Sequence, residues 1–329
     1  MKFLCLFLLT FSSLFGHSKK RVIDLSHDWP VDPNDQGIIQ SQILKDASKA
    51  LLEKNIHLVA TDLKNEKNSA ELAYVVLWGK RHGIEEKSLT RFPTKKKILF
   101  MWEPPVVKKN LYHKTFHQQF KRIYTWDDDL VDNKKYFKFY YPVLRPLEQD
   151  LPAFEHRKLL TQVSCNKVSK HARQLYTERE KVIQFFEDKP AGGFDFYGHN
   201  WHKKGYKNFK GTVENKIETL KQYRFSVCYE NMCDVKGYVT EKIFDCFAAG
   251  TIPIYWGASN IADYVPKNCF IDRRDFKDFS EVYNYIRTMD KATYETYLQN
   301  IAAFLRSDKA QLFSQEMFNV IFLEAVRFP

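Results

Sequence analysis

Between residues 223 and 274 the chain switches between two periodicities. Phe225, Val227 and Tyr229 interleave with Ser226 and Cys228, a period of two that predicts a strand. A polar loop over 230–237 follows. Ile243, Phe244, Phe247 and Ala248 then recur at helical spacing, and Gly250 stops them in the C-terminal position that favours glycine. Residues 252–256 predict a second strand, 257–260 a loop, and 269–272 a third strand. Strand, helix, strand, short helix, strand is the order of a parallel sheet with helical crossovers. In such sheets the strand-to-helix loops open on one edge, where ligands bind. The loops 230–240 and 257–260 should therefore share a crevice.

The same alternation runs through the rest of the chain. Residues 22–25, 56–60, 73–78 and 98–102 predict strands, separated by a Pro/Asp-rich loop over 28–35 and a helix carrying Ile43, Leu44, Ala47, Leu51 and Leu52. Residues 108–141 are polar, aromatic and without a period. The stretch 142–155, with three prolines, has the composition of a connection between domains. Strands resume at 159–164 and 194–198, around a helix over 179–187, and a final helix spans 313–328, with an apolar face that can pack back on the first domain. The pattern implies two α/β domains, 18–155 and 156–329, which the length of 329 residues can furnish with separate cores. Before them, residues 1–17 form a signal-like leader: one lysine, then an apolar run shorter than the roughly twenty residues of a membrane-spanning helix. The absence of a Ser/Pro-rich stem and of any Asn-x-Ser/Thr sequon favours a bacterial enzyme, cytoplasmic or membrane-associated. A eukaryotic chain with this start would belong to the Golgi membrane.

Composition narrows the function less than the pattern does. The net charge of +11 suits an anionic donor, a phospholipid surface or a nucleic acid, and leaves room for peripheral membrane contact. No RNA- or DNA-binding fingerprint accompanies it, so nucleic acid is not an expected partner. Beyond the leader, Cys165, Cys228, Cys233, Cys246 and Cys269 lack C-x-x-C spacing, which argues against zinc and against a disulfide framework. Cys228 and Cys246 fall on apolar faces and predict small buried hydrophobes.

The loop before the helix at 243–248 has the chemistry to hold a nucleoside diphosphate. Thr240 is the expected N-cap, behind which free N–H groups and the positive end of the helix dipole face the crevice. Lys242, in the first turn, is locally unfavourable unless an anion lies near. Glu241 can accept hydrogen bonds from the two hydroxyls of a ribose, and Asn231 and Tyr238 supply an amide and a phenol at the loop's two ends. Taken singly, Glu241 and Lys242 also describe an ordinary solvated helix start, and Tyr238 a packed ring.

CYEN at 228–231, GYVTEK at 237–242 and AGTIPIYWGA at 249–258 together resemble the C-terminal signature of the α1,3-fucosyltransferases, glycosyltransferase family 10, which use GDP-fucose. An E-N pair, Y-x-T-E-K, and G-x-x-P-x-x-x-G after the helix are all filled in order. The resemblance extends more weakly upstream to Ile98. It implies the GT-B fold, two Rossmann-like domains facing across a cleft, with GDP-fucose held by the second domain.

Through the same resemblance, Glu103 is the expected base: it follows the strand ILFMW, in an E-P-P where the family carries E-S-P or E-x-P. Taken alone, Glu103 is equally a solvated glutamate at a strand end. Moving fucose from a β-linked donor to an α product inverts the anomeric carbon, which requires a base opposite the leaving group. Departing GDP gains negative charge, and cations must already be placed to receive it. Lys242 is one. Arg179 is the second, since NKVSKHARQLYTEREKVIQFF resembles a family segment in which an arginine precedes a helix and binds the diphosphate; Arg173 competes for that alignment, and either could be a helix-surface charge. TWDDDLVD at 125–132 could be a D-x-D metal site or a solvated turn. The family has a Y-x-x-D-S-D segment near the cleft and does not depend on such a metal, so no cofactor is required. His199 and His202 lack a third ligand of matching spacing and belong to a loop at the cleft mouth.

The expected activity is inverting transfer of L-fucose from GDP-fucose to a hydroxyl of a glycan acceptor, in α1,3 linkage. A GT-B transferase using another nucleotide sugar is one alternative. A non-catalytic carbohydrate- or polyanion-binding protein is another, and it predicts salt-sensitive binding to acidic polymers.

Overall fold

The computed structural model describes residues 21–26, 42–60, 74–76, 93–189 and 193–327. The leader at 1–17 and the loop at 28–35 lie outside them. Two sheets organise the described chain. The first contains β1 (Arg21–Ser26), β2 (Ile56–Ala60), β3 (Tyr74–Val76), β4 (Lys97–Met101), β5 (Arg122–Thr125) and β6 (Tyr136–Lys138), in the order β2-β1-β3-β4-β5-β6. The second contains β7 (Lys158–Val163), β8 (Phe194–Tyr197), β9 (Tyr223–Tyr229), β10 (Ile252–Trp256) and β11 (Ile271–Asp272), in the order β11-β10-β9-β7-β8. Neighbouring strands run parallel in both. Every residue of β4 is buried, as befits a central parallel strand covered on both faces.

Two elements depart from the sequence pattern. Residues 108–141, expected to be irregular, supply β5 and β6, which extend the first sheet. Their four- and three-residue lengths are too short to show a period, and Lys138 interrupts the apolar run. The helix expected over 179–187 spans Tyr176–Glu187, so Arg179 lies inside its first turn rather than before it. It begins early because Gln174 Oε1 accepts from Thr177 N (3.0 Å) and Asn231 O accepts from Leu175 N (3.1 Å).

The last helix, Gln315–Arg327, leaves the second sheet and packs on the first. Phe318, Phe322, Ala325 and Val326 join Leu44, Ala47 and Leu51 of the helix Gln42–Leu52 in one core, and Gln315 Nε2 donates to Ile43 O at 3.0 Å. The connection at 142–155 follows the second domain, with Val143 N and Leu144 N both donating to Phe313 O at 2.9 Å. No helix among the described residues is long and apolar enough to cross a membrane.

The second sheet places its crevice by topology. β7 leads outward to β8, whereas β9 lies on the other side of β7 and leads to β10. The strand order therefore reverses between β7 and β9, and a doubly wound sheet opens its binding crevice at that point. The loops after β7 and β9 meet there.

Candidate functional site

Glu230, at the end of β9, organises the loop 230–240. Its side chain is 0% exposed. Oε1 accepts from Thr240 N (3.0 Å) and Thr240 Oγ1 (2.9 Å), and Oε2 accepts from Thr240 Oγ1 (2.8 Å) and Lys242 Nζ (2.9 Å). Thr240 occupies the N-cap position of the helix Glu241–Ala248, but its hydroxyl turns to Glu230 and makes no capping bond. The helix start thus lacks the side-chain cap its sequence predicts, and its dipole end stays available to an anion. Behind Glu230 there is no spare room: a Cβ on Gly257 would lie 2.6 Å from Glu230 Cγ and 2.4 Å from Tyr255 Oη. That close approach accounts for the second glycine of the G-x-x-P-x-x-x-G pattern.

Lys242 is 19% exposed and lies between two carboxylates, Glu230 at 2.9 Å and Glu241 at 3.2 Å. Burial alone would lower its ammonium, but Glu230 and Glu241 outweigh it and hold the group above its ordinary value. Glu241 has a side chain 50% exposed. The surrounding protein would raise its carboxyl; Lys242 and Lys216 together pull it well below the usual range. It stays an anion able to accept from hydroxyls at any physiological pH.

Arg179 reaches this group from the helix after β7. It is 6% exposed, and its Nη2 donates to Tyr229 O (2.6 Å) and Asn231 Oδ1 (3.2 Å). No carboxylate among the described residues forms an ion pair with it. Burial pulls its guanidinium below the ordinary value, against the opposing pull of Tyr176 and Glu230. A buried cation held mainly by carbonyl oxygens gains when an anion comes within reach, so the setting of Arg179 favours an anionic ligand. Arg179 and Lys242 border the same small cavity, with Lys216, beside the ends of β7 and β9. Arg173, the competing arginine, is exposed, and its Nη1 donates to Asp234 O at 3.0 Å.

Asn231 and Tyr238 connect this clamp to the other domain. Asn231 Nδ2 donates to Tyr238 Oη at 3.3 Å. The Tyr238 ring is spent on packing: it is 2% exposed and lies 4.6 Å from the Trp126 ring. Its phenol oxygen is the part that meets Asn231.

Glu103 emerges from the C-terminal end of β4, half-buried, with its backbone carbonyl accepting from Tyr112 Oη at 3.0 Å. Its carboxylate forms no ion pair among the described residues. Burial raises its pKa, Lys242 and Lys167 lower it, and Glu241 raises it again, for a net upward shift. Three of the charges that act on Glu103, Lys242, Lys167 and Glu241, belong to the second domain and one, Lys108, to its own, so the base candidate and Lys242 face one gap.

The aspartate run takes a different part. Asp128 accepts from Lys138 Nζ (2.6 Å), Tyr264 Oη (2.6 Å) and Asn260 Nδ2 (2.9 Å), so its oxygens are engaged by protein donors from both domains. Among the described residues no group of three His, Cys, Asp or Glu side chains could hold a metal ion. His199 and His202 are exposed in the loop after β8, where Asn166 N donates to His199 O at 2.9 Å. Cys228 and Cys246 are buried, as their apolar faces predict.

Sequence reasoning named Glu103, Arg179, Asn231, Tyr238, Glu241 and Lys242, and all six lie around this gap or behind it. It missed Glu230 as a site residue, although the E-N pair contains it. A carboxylate ending a strand, with T-E-K ten residues on, was the available signal.

Comparison with known proteins adds to this geometry. Residues 155–317 match the family described as Glycosyltransferase family 10 (fucosyltransferase) C-term. An α-(1,3)-fucosyltransferase of Helicobacter pylori is 50% identical over 76 residues, 23% of this chain and 16% of that protein. The mouse 4-galactosyl-N-acetylglucosaminide 3-α-L-fucosyltransferase 9 is 32% identical over 149 residues, 44% of this chain and 36% of that protein. The chain thus spans well under half the length of these relatives. Among solved structures, an α1,3-fucosyltransferase with GDP superimposes with a TM-score of 0.55 at 16% identity, covering 97% of this chain and 94% of that one. A DNA-modifying β-glucosyltransferase does so with a TM-score of 0.54 at 13% identity, covering 93% and 99%. At these identities the likeness is one of fold, the GT-B arrangement of two α/β domains.

Proposed function

We propose, from the match of residues 155–317 to glycosyltransferase family 10, that this chain is an inverting fucosyltransferase that moves L-fucose from GDP-fucose to a glycan hydroxyl in α1,3 linkage. Arg179 and Lys242 receive the diphosphate, and the uncapped start of the helix Glu241–Ala248 adds its dipole. Glu241 accepts from the ribose hydroxyls. Asn231 orients Arg179, and the Tyr238 phenol fixes Asn231. Glu103, across the gap, takes the proton of the attacking acceptor hydroxyl as the new glycosidic bond forms. The bond from the anomeric carbon to the GDP oxygen breaks on the opposite face, and GDP leaves with the electron pair onto cations already in place.

The observation that carries this reading is the buried Arg179, with no ion-pair partner among the described residues, in the same cavity wall as Lys242. Its companion is Glu103, whose raised pKa keeps it a stronger base than a solvated glutamate. Donor binding without a divalent metal is part of the proposal. Its support is the engagement of Asp128 by Lys138, Tyr264 and Asn260.

Glu241→Ala tests the donor site: GDP affinity measured by calorimetry should fall, and unchanged affinity would remove that residue from it. A second reading, transfer from a UDP-sugar, is favoured by the β-glucosyltransferase likeness. Thermal-shift screening of GDP-fucose against UDP-glucose and GDP-mannose separates the two, the larger shift identifying the donor.

A further inference from the structure

The mechanism above leaves Trp126 and the aspartates that follow it without a part, yet they occupy the seam between the two sheets. Asp128 accepts from Asn260 Nδ2, and Asn260 Oδ1 accepts from the donor-loop amide of Gly237 at 2.9 Å. Gly237 has φ +80°, and a Cβ there would lie 2.3 Å from Trp126 O and 2.9 Å from Asp128 Oδ1. The donor loop therefore rests directly on residues 126–128, and only glycine allows it to. The 1% exposed Trp126 faces both ways. Its ring packs on Tyr238, two bonds from Arg179 by way of Asn231. Its indole N–H donates to Trp102 O at 3.1 Å, the carbonyl immediately before Glu103. Tyr141, whose hydroxyl bonds the same carbonyl, also packs on Tyr238, with ring centroids 6.4 Å apart.

We propose that Trp126 and Asp128 are positioning residues that hold the turn bearing Glu103 in register with the donor loop, so that the gap between base and diphosphate clamp is set before the donor arrives. Neither residue touches the reacting atoms. Trp126 acts through the Trp102 carbonyl and the Tyr238 ring, and Asp128 acts through Asn260 and the Gly237 amide. Part of this inference rests on the transferase reading, since one arm of its test is turnover.

Trp126→Phe keeps a ring against Tyr238 and deletes the indole donor. Steady-state kinetics with GDP-fucose and a glycan acceptor should show kcat lowered by about 10- to 100-fold, the scale of a misplaced reacting group. GDP affinity by calorimetry should stay within about two-fold, because the clamp itself is untouched. A kcat within about two-fold of the unaltered enzyme, or kcat and GDP affinity falling together, would overturn the positioning role. Asp128→Asn is read by hydrogen exchange, with no turnover needed: amides of residues 231–240 should exchange about tenfold faster, as expected when a local opening becomes easier. Unchanged exchange would overturn the part assigned to Asp128. If the unaltered protein turns over no GDP-fucose at all, the transferase reading fails, and the exchange result alone decides the joint.

Discussion

Glu230 and Glu103 are two glutamates at the ends of two central strands, and their surroundings assign them opposite work. Glu230 ends β9 sealed from water, with both oxygens engaged by Thr240 and Lys242. Glu103 follows β4 half-buried, anchored by its backbone, with its carboxylate unpaired among the described residues. A carboxylate saturated with donors is a strut. One that is partly desolvated and unpaired is suited to act as a base, because burial raises its proton affinity and leaves the oxygens free. The surroundings of Glu230 are held by side-chain bonds, and those of Glu103 by backbone carbonyls and aromatic packing.

Exchanging each carboxylate for its amide should break the pair apart. Glu103→Gln should lower turnover by about 10²- to 10⁴-fold, the usual worth of a general base, with GDP affinity intact. Retained turnover would take the base role from Glu103. Its stability should hold or rise slightly, since a partly buried charge is removed. Glu230→Gln should instead destabilise the fold by about 3–5 kcal/mol, because Lys242 loses its buried partner. Urea denaturation reads that difference, and equal midpoints for the two variants would erase the distinction.

A smaller effect sharpens the same contrast through pH. Glu103 must be ionised to accept a proton, so activity should fall as pH drops through its pKa. Burial raises that pKa, which places the acid limb of kcat/KM above the ordinary glutamate value of about 4.3. A limb at or below the ordinary value would contradict the desolvated base. The smallest expected effect belongs to Arg173→Ala. With that side chain exposed, stability and GDP affinity should both change by less than about 0.5 kcal/mol. A loss of GDP binding there would transfer the diphosphate role from Arg179 to Arg173.

What could be read from the chain alone follows the same division. The strand 223–229, its polar loop and the helix after it are contiguous, so period and capping rules locate Asn231, Tyr238, Glu241 and Lys242 without tertiary knowledge. Arg179 needed a family likeness, and its burial against Tyr229 O depends on a strand fifty residues away. Asp128 was illegible as anything but a turn or a metal ligand, since Asn260 and Tyr264, which engage it, lie more than a hundred residues on. β5 and β6 are too short to leave a period, and are held by neighbouring strands rather than by their own pattern. The final helix showed its apolar face in sequence; its partner, the helix Gln42–Leu52, did not follow from that face.

The proposed function rests on the buried Arg179 receiving a diphosphate. Calorimetric titration of GDP and of guanosine into the unaltered protein and into Arg179→Gln tests it most directly. GDP should bind the unaltered protein at least about a hundred-fold more tightly than guanosine, the order of magnitude expected when charged groups pair in a desolvated site, and Arg179→Gln should remove most of that margin. Equal affinities for GDP and guanosine, or a margin that survives the loss of Arg179, would contradict it.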